Sequence, residues 1–125
     1  MRLLLIAACL STVLFAADAD FAKWWPRFQA AVAKGDAKAV MEGSKFPMQW
    51  ENGPVREIKT SSELVQHFDV YFTPEIRKAI ANKKPEKSGY GEYDVTWKAR
   101  GNEYSIFFKP EGAGYVLGGL TEGPP

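Results

Sequence analysis

The chain has 125 residues with a single histidine, His67, and a single cysteine, Cys9. An imidazole with an ordinary pKa of about 6.5 suits a general base or a pH-responsive ligand contact. No Glu-x-x-His or His-x-x-x-His spacing surrounds it, so no metal site is expected, and no motif points to a cofactor. Asp69, two residues on, is the other candidate base. On a helix, His67 flanks the Leu64, Phe68 and Tyr71 stripe, which assigns it a rim or surface position. Further along, Glu92 and Asp94 alternate with Tyr93, Val95 and Trp97, so a strand would put acids on one face and rings on the other. With the rings inside, the acids are solvated; with the faces exchanged, Glu92, Asp94 and Thr96 line a polar pocket. The transfer energy of large aromatics favours the first arrangement.

Rings are the second chemical resource: 4 Trp, 5 Tyr and 8 Phe. Trp25, Phe28, Trp50, Tyr71, Tyr93, Trp97 and Tyr104, with His67, are the candidate lining of a pocket for an apolar or cyclic ligand, because Tyr and Trp keep a polar end that can orient it. Trp24, Phe46 and Phe108 belong to the same set. A stripe of rings is also what a core requires. With 16 basic against 15 acidic side chains and no run of five like charges, the chain offers no field for gripping phosphate backbones or anionic lipid. Nucleic acid is therefore not an expected partner. Arg77, Lys78, Lys83, Lys84 and Lys87 cluster, but Glu75 and Glu86 interrupt them and the cluster reads as a solvated face.

Residues 1–19 read as a secretory signal peptide: Arg2, an apolar run of about 13 residues, then the small-x-small site Ala17-Asp18-Ala19. That run is shorter than the roughly 20 residues of a spanning helix. Cleavage is expected after Ala19, with Ala17 as the neighbouring choice. The alternative, a lipoprotein signal acylated at Cys9, leaves too short an apolar region before the cysteine. The remaining 106 residues, 20–125, form one domain without cysteine. They must be held by their own core, and neither a disulfide nor a stable membrane anchor remains. A periplasmic or secreted bacterial location is expected.

Several elements must position these groups. Phe21, Trp24, Trp25, Phe28, Ala31 and Val32 predict an amphipathic helix over 20–34, with Pro26 in its first turns or at a kink. Gly35-Asp36 stops it and caps a short helix over 37–42. Segments 46–50 and 55–58 form a hairpin about Asn52-Gly53. Thr60 and Glu63 stand in capping-box relation before a helix over 61–72, and Thr73-Pro74 starts another over 74–82. Residues 83–88 read as a loop. Strands follow over 91–99, 103–109 and 115–120. The second is central because Tyr104, Ile106 and Phe108 face one side and Phe107 the other. Gly118-Gly119 marks a bulge or bend where a large side chain crosses.

This α+β order predicts a curved antiparallel sheet wrapped around a long N-terminal helix. The pattern Trp25-x-x-Phe28-x-x-Ala31-Val32-x-x-Gly35-Asp36, then Lys45-Phe46-Pro47, then Phe68-Asp69-x-x-Phe72-Thr73-Pro74-x-x-x-x-Ala79-Ile80, resembles small exported bacterial members of the nuclear transport factor 2-like superfamily, which share a cystatin-like fold. The resemblance spans nearly all of 20–125 and its motifs are structural. It implies a cone whose helices close one end of the sheet. Its ketosteroid isomerase branch implies a further arrangement, an acidic base with acidic or tyrosine donors facing an apolar pocket. Three functions stay open. The first is a non-enzymatic domain that holds a small ligand in an aromatic cone or docks a partner through its sheet, a second copy included. The second is a proton-transfer isomerase, dehydratase or cyclase using His67 or Asp69 as base and a tyrosine as donor. The third is an envelope interaction or inhibitor protein that inserts an exposed loop such as 112–114 or 83–88 into a partner.

Overall fold

A computed structural model describes the backbone of residues 2–125 and the side chains of residues 18–125. Of the expected leader, the side chains of residues 1–17 lie outside the described ones, while Asp18 and Ala19 of the cleavage site are described. Phe21, Phe28 and Val32 are buried along one face of the first helix, α1 (Arg2–Lys34), with Trp24 and Trp25 half-buried beside them. Seven- and four-residue steps keep these side chains on one stripe. Pro26 lies inside α1 and not in its first turn. Lacking an N–H, it leaves the Ala22 carbonyl without its intrahelical donor.

Gly35, at φ +69°, ends α1, and the Asp36 carboxylate accepts the Ala39 N–H at 3.1 Å to cap α2 (Ala37–Glu42). A hairpin of β1 (Ser44–Asn52) and β2 (Val55–Ile58) follows. Its turn centres on Gly53-Pro54 and not on Asn52-Gly53: Asn52 pairs with Val55, and Gly53 at φ +61° takes the first central position. Thr60 caps α3 (Ser61–Gln66) by accepting the Glu63 N–H at 3.2 Å, and the Glu63 carboxylate accepts the Lys59 N–H at 3.0 Å. The single helix expected over 61–72 is broken at His67, whose extended-side φ of −123° separates α3 from α4 (Phe68–Tyr71). Thr73 caps α5 (Pro74–Asn82) as the sequence predicts.

The loop expected over 83–88 contains a short strand, β3 (Glu86–Lys87), laid against β4 (Tyr93–Ala99) in the register Glu86↔Asp94 and Lys87↔Tyr93. β5 (Asn102–Glu111) and β6 (Gly114–Gly123) are each longer than their sequence-based bounds. The six strands run in the order β2-β1-β6-β5-β4-β3 in one curved, unclosed sheet. The expectation of a wholly antiparallel sheet is corrected at one seam. β6 returns beside β1 in parallel after the long excursion through α3–α5 and β3–β5, and such a crossover permits parallel pairing. β5 is central, as expected, and Gly118 is an extra residue in β6 between the pairs Phe107↔Gly119 and Phe108↔Leu117.

α1 crosses the inner face, where Phe108 meets Trp25 at 5.1 Å, Phe28 at 5.5 Å and Trp24 at 5.6 Å between ring centroids. Leu64, Phe68, Phe72, Ile76 and Ile80 of α3–α5 close the other end, and Phe72 packs on Trp50 at 5.1 Å. Tyr93, Val95 and Trp97 face the α1 side and Thr96 faces away, which settles the orientation of β4 in favour of an aromatic interior.

Candidate functional site

The interior is packed. Trp50, Ile58, Ile106, Phe108 and Leu120 have no exposed surface, Tyr104 is 2% exposed, and among the described residues no buried side-chain polar atom lacks a partner. Trp50 donates its indole N–H to the Tyr71 carbonyl at 3.1 Å, and Tyr104 gives its hydroxyl proton to the Glu122 carboxylate. Trp97 stacks on Tyr104 at 5.6 Å and donates to Glu75 at 3.4 Å, while Glu75 is gripped by both terminal nitrogens of Arg100 at 2.9 Å. Arg100 holds the Glu75 carboxyl below the usual carboxylate range, with the Trp97 indole assisting against partial burial. Trp50, Tyr104, Phe28 and, largely, Trp97 are thus committed to the core.

The two candidate bases lie outside any shared cavity. His67 is exposed at the α3–α4 break, where its N–H closes α3 on the Glu63 carbonyl at 2.9 Å and its carbonyl accepts from Val70 at 3.0 Å. The Asp69 side chain is 92% exposed and pairs with Arg77 at 2.5 Å. Arg77 in turn lies over the Phe68 ring at 4.9 Å and donates from Nε to the Phe72 carbonyl at 3.1 Å, so the pair locks the corner between α4 and α5. Tyr71 is half-buried on the same corner. Asp94 points to the outer face of the sheet beside Glu92 and Glu86. Burial first, and then these two acids, raises its carboxyl above the ordinary range.

Of the eight proposed lining residues, the structure brings together two, Trp25 and Tyr93, in a groove of about 530 Å³ between α1 and the chain leaving α5. Its floor is aromatic. Phe21 stacks on Tyr93 with centroids 3.7 Å apart and planes 3° from parallel, and Trp25 lies 5.9 Å from Phe21. One wall ends at Gln29, whose amide donates to the Ile80 carbonyl at 2.9 Å and ties α1 to α5. The other wall arises because α5 stops at Asn82. Lys83 turns extended (φ −90°, ψ 142°) while its N–H still serves the Ala79 carbonyl at 2.9 Å, and Pro85 prevents the helix from resuming. Lys83 and Lys84 are left exposed on the rim.

At one end of the groove, one carboxylate oxygen of Asp18 accepts from the Tyr93 hydroxyl at 2.7 Å and from Lys87 Nζ at 2.8 Å. These two donors hold the Asp18 carboxyl below its usual range, Lys87 contributing most. Desolvation, then the Asp18 contact, raises the Tyr93 phenol well above the ordinary tyrosine range. Tyr115 packs edge-on at 5.8 Å from Tyr93 and spends its own hydroxyl on the Gly91 carbonyl at 2.9 Å, which leaves Tyr93 as the groove's phenolic donor. The sequence places Phe21 in the stripe of the first helix, Asp18 in the leader and Lys87 in a solvated basic cluster at the end of a loop, and it carries no signal for Gln29.

Chemically, the groove offers a flat apolar floor, amide and phenol groups, and ammonium groups on one side. Its shape suits a ring with an anionic substituent. Among the described residues no cluster of three or more His, Cys, Asp or Glu could hold a metal ion, and no helix is long and apolar enough to cross a membrane. Compared with known proteins, the chain matches no family model, no curated protein and no solved structure.

Proposed function

We propose that residues 20–125 are an exported binding domain of the nuclear transport factor 2-like kind that takes a small aromatic or cyclic anion in the groove between α1 and the Lys83–Pro85 segment. One observation carries the reading: the half-buried Trp25 and Tyr93 rings, backed by the buried Phe21, line a groove open to solvent beside Lys83 and Lys84, while most of the remaining aromatic set is packed in the core. The volume of about 530 Å³ suits a ligand of one or two fused rings. The helix-on-curved-sheet architecture supports the superfamily reading, and the small-x-small site at Ala17–Ala19 supports export. The outer sheet face carries the polar row Thr96↔Ser105↔Thr121, which favours the groove over sheet docking as the binding surface.

Isothermal titration of the chain with 1-naphthoate tests the proposal. Trp25→Ala weakens binding roughly three- to tenfold, the loss of one stacked ring, whereas His67→Ala and Asp69→Ala bind as the parent does. Unaltered binding in Trp25→Ala, or its loss in His67→Ala, contradicts the groove.

A further inference from the structure

The Asp18 carboxylate sits at the end of the groove on two converging donors, one phenolic and one cationic, at 2.7 and 2.8 Å. Such a pair is a carboxylate subsite: a neutral hydroxyl fixes direction and an ammonium supplies charge. Its present occupant belongs to the Ala17-Asp18-Ala19 site at which the leader is expected to be cut. Cleavage after Ala19 removes that carboxylate but leaves both donors, which β3 and β4 hold side by side in the Lys87↔Tyr93 pair. The Tyr93 ring stacks on Phe21, which cleavage after Ala19 retains, and its hydroxyl then loses the Asp18 acceptor.

We infer that Asp18 is a built-in stand-in for the ligand's carboxylate, and that removal of residues 1–19 opens a subsite, Tyr93 Oη with Lys87 Nζ, for a small aromatic carboxylate whose ring lies against Trp25. This rests on the groove reading above and names the ligand class more closely. It also makes leader removal the event that activates binding: the precursor carries its own competing carboxylate, tethered by the helix at high effective concentration.

The experiment compares 1-naphthoate with the uncharged 1-naphthamide on the full 125-residue chain kept unprocessed, as parent, Asp18→Ala, Asp18→Ala/Tyr93→Phe and Asp18→Ala/Lys87→Ala. Tyr93→Phe keeps the ring stack, so a lost hydroxyl is not confused with a lost fold. Asp18→Ala is expected to tighten 1-naphthoate about tenfold and change 1-naphthamide by less than about twofold. Each second substitution should return most of the gain. Equal changes for both probes, or no change on Asp18→Ala while both probes bind, overturns the inference and leaves the groove reading standing; failure of both probes on every chain overturns both. Intact mass of the exported protein should give Asp20 as first residue, and a mature chain that begins at Asp18 contradicts the inference.

Discussion

The ring of Phe107 occupies the space that a Cβ on Gly118 would need: such a carbon would stand 2.6 Å from Cε2 and 2.7 Å from Cδ2. The extra residue in β6 is therefore a glycine because a side chain from β5 lies across it on the outer face of the sheet. Gly119 is confined by two groups. Its Cβ would come within 2.7 Å of the Gln49 carbonyl, in the neighbouring backbone of β1, and 2.9 Å from Cζ of the same Phe107 ring.

Gly118→Ala should destabilise the chain by about 1–3 kcal/mol through overpacking. Phe107→Ala added to it should recover most of that loss, because the obstruction is a side chain. The same addition should rescue Gly119→Ala much less, because the Gln49 carbonyl at 2.7 Å stays in place once the ring is gone. Urea unfolding of the two double-mutant cycles checks the pattern, and rescue of both glycine variants alike would contradict it.

The bulge was legible from sequence because two adjacent glycines break an otherwise β-forming segment beside a strand with rings on both faces. The helix ends were legible for a similar reason: Asp36, Thr60 and Thr73 make the cap bonds that their types and positions predict. The break at His67 left no such trace. Leu64, Phe68 and Phe72 keep four-residue spacing across it and all three are buried, so periodicity reads one helix where the chain makes two. β3 was hidden because both its residues are exposed and its pairing is a matter of backbone alone. The candidate site inherited that gap. Trp25 and Tyr93 were found by their chemistry, but the contact of Lys87 with Asp18 joins residues 69 apart in sequence, one in a segment read as loop and the other in the leader.

The N-terminal cap of α3 gives a second prediction. Thr60→Ala removes the hydroxyl that accepts the Glu63 N–H and should cost about 1 kcal/mol. Thr60→Ser, which keeps the oxygen, should cost far less. Equal losses in chemical unfolding would show that the methyl group and not the cap bond matters.

Asp94 gives a pH dependence. Burial first, then Glu92 and Glu86, raises its carboxyl, so the folded chain holds this proton more tightly than the unfolded chain does. That contribution to stability is fully present below the ordinary carboxylate pKa of about 3.9 and is lost as pH rises through the higher folded value. Near pH 7 the ionised group is a net cost. Asp94→Asn should therefore raise the thermal midpoint near pH 7, and the difference from the parent should vanish near pH 3. A lower midpoint at neutral pH would mean that the ionised carboxylate has a favourable partner.

Four tryptophans report on four places in the molecule, and their indole N–H resonances followed by NMR during titration with 1-naphthoate locate the ligand directly. Binding in the groove shifts Trp25, on its floor, and leaves Trp50, buried under Phe72, and Trp97, stacked on Tyr104, in place. Shifts at Trp50 and Trp97 with Trp25 unmoved would put the ligand in the interior between helices and sheet and contradict the groove as the binding site.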